Sequence, residues 1–122
     1  MKKLFLALAA VAVIAFVGCS KDGDGDDLAG TTWSYTERGQ YETFISTISF
    51  TKGGKVTVSE QVLSSEYGNE YYTETGTYSY NPPTVTFTTS YEGHPFSYIG
   101  TISGNSMNVI CDGEYYGTYM KQ

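Results

Sequence analysis

The side chains able to do chemistry are few and scattered. His94 is the single histidine, set in Glu92-Gly93-His94-Pro95, a Gly/Pro turn of the kind found at surfaces. A turn imidazole with no acidic or nucleophilic partner nearby in sequence is a bystander rather than a general base. Cys111, just before Asp112-Gly113, would be a nucleophile only beside a base, and His94 is the sole imidazole on offer. One histidine and one cysteine beyond residue 19 cannot make a four-ligand metal set of those residue types. The glutamates could in pairs cleave a glycoside, but none falls in a recognisable motif, and a strand glutamate ordinarily points to water. No phosphate loop, dinucleotide fingerprint or Gly-x-Ser-x-Gly elbow occurs. The expectation is a non-enzymatic protein with no catalytic residue, no metal and no cofactor.

Two other residue sets invite a binding role. Asp22, Asp24 and Asp26 occupy the first three ligand places of a calcium loop, but the sixth and twelfth places hold Asp27 and Trp33 instead of the required Gly and Glu. That stretch reads as a solvated Gly/Asp tether. The tyrosines, 12 in all, offer broad apolar faces with a hydroxyl at the tip. Tyr72, Tyr78, Tyr80, Phe87 and Tyr98 are the candidates to line an interior ligand site. Consecutive tyrosines on a strand point to opposite faces, so one each of Tyr71-Tyr72 and Tyr115-Tyr116 belongs outside, where it could stack on a glycan or a protein partner.

The N-terminus places this material in a compartment. Lys2 and Lys3 precede an apolar run from Leu4 to Val17, closed by Gly18 and Cys19. As a helix the run would cover about 21 Å, short of the roughly 30 Å of a bilayer's hydrocarbon core, so it reads as a removable signal rather than a span. Phe16-Val17-Gly18-Cys19 resembles the lipobox of bacterial lipoproteins, with Phe16 in place of the usual Leu. The resemblance implies a diacylglyceryl thioether on Cys19, which becomes the mature N-terminus. The alternative is an ordinary signal peptide with Cys19 free or bridged to Cys111. Ser20 to Asp27 further resembles the acidic export signal of surface lipoproteins in Bacteroidetes-type bacteria, which implies the outer membrane and its outward face. The formal charge of −6, with 13 acidic against 7 basic side chains, grows more negative once Lys2 and Lys3 leave, and nucleic acid is excluded as a partner.

The elements that must position any site are strands. Residues 31–38, 43–52, 55–63, 70–80, 84–90, 96–102, 106–111 and 114–121 are short β runs between turn residues. Gly53-Gly54 sits between two alternating runs as a hairpin signal, repeated in Ser103-Gly104-Asn105 and Asp112-Gly113. Phe44, Ile48 and Phe50 share one face; Val56, Val58 and Val62 do the same, as do Tyr72, Tyr78 and Tyr80, Val85 and Phe87, and Met107 and Val109. One apolar and one wet face on consecutive strands predicts an all-β antiparallel meander closed into a roughly eight-stranded barrel, with a β-sandwich as the alternative. Gly76, Gly100 and Gly117 inside strands fit sharp coiling.

Leu28-Ala29-Gly30-Thr31-Thr32-Trp33, Gly76-Thr77-Tyr78-Ser79-Tyr80, the run Gly100 to Val109, and Tyr119-Met120-Lys121 together resemble the small lipocalin-like (calycin) lipoproteins of Bacteroidetes-type bacteria. The resemblance covers most of residues 28–122. The first strand departs from the family's Gly-x-Trp, having Gly-x-x-Trp. It implies a barrel closed at its base by Trp33 and Lys121, with a small apolar or amphipathic ligand in the mouth. The resulting expectation is a signal peptide at 1–18, a lipidated cysteine and tether at 19–27, and a barrel domain at 28–122. The alternative function is surface adhesion or envelope assembly through exposed tyrosines.

Overall fold

The computed structural model describes residues 28–122. The leader, Cys19 and the tether lie outside the described residues. Eight antiparallel strands follow one another as a meander: β1 (Thr32–Arg38), β2 (Glu42–Thr51), β3 (Lys55–Ser64), β4 (Glu70–Asn81), β5 (Thr84–Tyr91), β6 (His94–Ser103), β7 (Ser106–Cys111) and β8 (Glu114–Lys121). They form a closed barrel in the order β1 to β8, so that every strand has a neighbour on each side. Closure rests on a short seam in which Trp33 pairs with Lys121 and Ser34 with Met120. The sandwich alternative is therefore excluded.

Turn chemistry sets the register. Glu92-Gly93 has φ of 51° and 83°, and Asp112-Gly113 has 50° and 88°. Positive φ at both central residues is the primed turn whose twist matches the flanking strands, so β5–β6 and β7–β8 close in two-residue hairpins, pairing Tyr91 with His94 and Cys111 with Glu114. The sequence reading begins β6 at Phe96, but the strand starts at His94 and includes Pro95, paired with Ser90. Proline is tolerated there because the position is at the extremity of the strand, on the barrel rim.

The strand directions divide the barrel into two ends. The β2–β3, β4–β5 and β6–β7 turns and both ends of the described chain form the floor, and the other four turns form the mouth. Most inward-facing residues of the floor half are fully buried, while Tyr78, Tyr80 and Ile102 pack against them partly exposed. Ile48, Phe50, Val56, Val58, Val85, Met107 and Val109 make a dry core. Trp33 is 2% exposed, and its indole donates to Thr31 Oγ1 at 3.0 Å. Leu28 belongs to the same cluster, held by a turn in which Thr31 N–H donates to Leu28 O and Gly30 N–H to Phe50 O. The chain thus tucks beneath the strands and closes the floor.

Two local devices depart from regular pairing. A Cβ at Gly76 would stand 1.8 Å from Thr88 O, so β4 and β5 approach there as only glycine allows. On β8, Val109 pairs with Gly117 but Ile110 with Tyr115, so Tyr116 is an extra residue in a bulge. A bulge re-aims side chains. Here it turns Tyr116 inward and leaves Tyr115 outside at 68% exposure.

Candidate site at the barrel mouth

Above the filled floor, the inward-facing side chains change character. Glu60 and Glu74 come from adjacent strands β3 and β4, and Tyr98 and Tyr116 from β6 and β8. Glu74 is buried at 7% exposure. Its Oε1 accepts from Thr89 Oγ1 at 2.5 Å and from the Tyr98 hydroxyl at 2.9 Å. Glu60 is half-buried, and its Oε2 accepts from the Tyr116 hydroxyl. On β2, Ser46 pairs with Glu60, and the Tyr119 hydroxyl donates to Ser46 Oγ at 2.7 Å, both buried. A polar layer therefore separates the dry core from the mouth, each hydroxyl satisfied by a partner as burial demands.

The rings around this layer form a continuous wall. Tyr98 stacks on Phe87 with centroids 4.6 Å apart and planes 9° from parallel. Tyr116 meets Tyr98 and Phe44 edge-on at 6.1 and 6.5 Å, and Phe44 in turn meets Tyr35 at 6.4 Å. At the lip Tyr72 packs edge-on against Tyr91 at 5.7 Å, and its hydroxyl donates to Glu70 at 3.0 Å. Offset and edge-to-face contacts of this kind add to the area they bury. Tyr35, Phe44, Tyr72 and Tyr116 remain partly exposed although they face inward.

Burial sets the protonation of these groups. Loss of solvent pushes the Glu60 carboxyl above its ordinary range; the charge of Glu74 adds to this and the Tyr116 hydrogen bond opposes it. Burial first, and then Glu74, drives the Tyr98 phenol strongly upward. Burial and its bond to Glu60 do the same for Tyr116. Both remain hydroxyl donors across the physiological range. Cys111 also faces inward, as a free thiol that burial and Asp112 push up to about 11. A thiol so protonated is a poor nucleophile. His94 begins β6 at an exposed position.

Of the five residues the sequence marks for an interior site, Tyr72 and Tyr98 stand at the mouth with Phe87 buried behind Tyr98. Tyr78 and Tyr80 lie toward the floor, where Tyr78 packs edge-on against Phe50 at 4.8 Å and donates to Thr51 O at 3.3 Å. The expectation that strand glutamates point to water fails for Glu60 and Glu74. Their positions carried the signal: Glu60 has the parity of Val56, Val58 and Val62, and Glu74 that of Tyr72, Tyr78 and Tyr80. Tyr116 was set inside by the bulge, which strict alternation does not reveal.

The arrangement is suited to holding a ligand. It offers aromatic faces, two carboxylates and fixed hydroxyl donors at the end of a barrel whose other end is filled. Acid–base cleavage is poorly served, because Glu74 is buried and its Oε1 is held by two hydroxyls. Among the described residues no group of three or more His, Cys, Asp or Glu side chains is placed to hold a metal ion. Comparison with family models, curated proteins and solved structures gave no match.

Proposed function

We propose that the protein is a non-enzymatic, lipid-anchored binding protein of the outer membrane that holds a small amphipathic molecule in its barrel mouth. The supporting observation is a contrast inside the barrel: the floor half is built round a fully buried apolar core, whereas the mouth half holds partly exposed aromatic side chains beside two carboxyl groups. Partial exposure of Tyr35, Phe44, Tyr72 and Tyr116 leaves apolar ring faces for a ligand to cover, beside polar groups that can fix its orientation. A closed eight-stranded barrel is compatible with the sequence's resemblance to lipocalin-like lipoproteins, and Trp33 and Lys121 pair across the closing seam.

An anchor at Cys19 gives this mouth a direction. The described chain begins at Leu28 in the floor, so a tether of residues 19–27 joins the barrel at the end opposite the mouth, which then faces away from the membrane. Repulsion between the tether's aspartates and anionic head groups holds the barrel off the surface. Native mass spectrometry of the purified protein should show a co-purified small molecule, or binding of an added amphiphile that Tyr116→Ala weakens. Absence of both would overturn the reading. Cys19→Ala should release the protein from membranes, and continued association would contradict the anchor.

A second reading has its own observation. Tyr41, Tyr67, Tyr71 and Tyr115 are each at least 65% exposed, and all lie in or beside the mouth turns. Such a rim suits adhesion to a glycan or protein. Glycan or cell binding lost on combined Tyr67→Ala and Tyr71→Ala substitution, with amphiphile binding intact, would favour it.

A further inference from the structure

The barrel is electrically polarised along its axis. Every acidic side chain of residues 28–122 lies in the mouth half, whereas Lys52, Lys55 and Lys121 lie at the floor. Of residues 28–122, Arg38 is the one lysine or arginine at the mouth end, which His94 shares; it is exposed at the tip of β1 and alternates with inward-facing Tyr35 so as to point outward. Charge of one sign concentrated around a concave site raises the local concentration of the opposite ion and steers it inward.

Inside the mouth the same sign persists. The partners of Glu60 and Glu74 are neutral hydroxyls, those of Tyr116, Tyr98 and Thr89. Both hydrogen bonds to Glu74 fall on Oε1, and its Oε2 accepts none from the described residues, although the side chain is more than nine-tenths buried. A buried carboxylate oxygen with no donor is costly and rare, and at the base of an open mouth it calls for one. Glu60 lies near enough to Glu74 for the two charges to interact, and among the described residues neither has a lysine or arginine as a partner. Beside them stand the partly exposed rings of Tyr116 and Phe44, packed edge-on, with Tyr98 buried behind; an organic cation is attracted by such ring quadrupoles.

We propose that the mouth selects an organic cation, an ammonium group on an apolar or aromatic body. The ammonium seats against the Glu60 carboxylate with the charge of Glu74 behind it, and the body lies on the aromatic wall. This rests on the ligand-binding reading above and names the class of molecule bound. An ammonium supplies hydrogen-bond donors and a compensating charge together, which a neutral amphiphile does not. A metal ion would have only these two carboxylates among the described residues.

Calorimetric titration of the purified protein with paired probes tests this. 2-Phenylethylammonium is compared with 2-phenylethanol, and octylammonium with octanol, so that body and length stay fixed while the charge changes. The cations should bind about tenfold tighter or more than the alcohols. Glu60→Gln should abolish that difference by weakening the cations to about the affinity of the alcohols, with a single cooperative thermal melt showing that the barrel still folds. Equal binding of cation and alcohol, or a preference that survives Glu60→Gln, overturns the cation assignment but leaves the mouth as a ligand site. Failure of all four probes to bind overturns the ligand-binding reading itself. Calcium chloride serves as a further arm: calcium binding that depends on Glu60, with no organic cation bound, overturns the proposal in favour of a metal.

Discussion

Tyr98→Phe isolates the bond that anchors the mouth. The substitution keeps the ring and its 4.6 Å stack on Phe87 and removes only the hydroxyl that donates 2.9 Å to Glu74 Oε1. Buried apolar area is unchanged, so the cost is that of one hydrogen bond to a charged acceptor, about 1.5–3 kcal/mol. The upper part of that range applies because Glu74 is 7% exposed and water can replace little of what is lost. For a domain of this size the loss lowers Tm by roughly 6–24 °C. Urea unfolding should show a lower midpoint at unchanged m-value, the signature of lost stability without a change in the denatured state. Thr89→Val removes the other donor to the same oxygen at 2.5 Å. The double variant should lose more than the two single losses combined, because only then is Oε1 stripped of both donors, with a coupling of about 0.5–3 kcal/mol. Tyr115→Phe is the control, since its hydroxyl bonds Thr118 at an exposed site and should change stability by less than about 0.5 kcal/mol. A Tyr98→Phe loss as small as that of the control would refute the reasoning and remove Glu74 as a buried, hydroxyl-held carboxylate.

Gly76→Ala should destabilise the barrel by about 3 kcal/mol or more, because its Cβ meets backbone that no rotamer change can move. Gly100→Ala, which meets the flexible end of Met107 at 2.7 Å, should cost less, and paired urea midpoints give the ranking. Glu60 has a folded-state pKa raised above its ordinary 4.5. The folded state therefore holds this proton more tightly than the unfolded chain, and the stability it contributes is present below that value and lost as pH rises through the folded pKa. Glu60→Gln should remove that loss, seen as a smaller fall in urea midpoint between acid and neutral pH than in the parent protein; parallel curves would contradict it. Cys111 should alkylate slowly at neutral pH, with a rate that climbs until about pH 11. A rate that levels off near pH 8.5, the value of about 8.5 for an unperturbed thiol, would contradict its burial.

Much of the barrel was legible because its residues obey a period of two. Val56 and Val58 alternate with Thr57 and Ser59, and Phe50 with Ser49 and Thr51, so the buried face of β2 and β3 could be read directly. Gly53-Gly54 and Asp112-Gly113 marked turns because few other residues accept positive φ. The site was harder to read. Glu60 and Glu74 sit on the inward parity, but a glutamate's residue type favours water until neighbouring strands supply hydroxyls. Tyr98 and Tyr116 are those hydroxyls, 24 residues from Glu74 and 56 from Glu60 along the chain. Pairing across such distances has no local signature.

The amino-acid sequence by itself determined the strand pattern, the turns and the inward parity of the regular strands, because alternation and turn geometry act within a few residues of one another. Closure into a barrel and not a sandwich was decided by the pairing of β1 with β8. Only the tertiary structure decided that the acids gather at one end and the lysines at the other, since that depends on which turns share an end. It alone moved Tyr116 inside and Tyr115 out, through one extra residue opposite Ile110. It also turned two strand glutamates from solvated groups into the carboxylates of a mouth, because a side chain's environment is set by the strands that close around it.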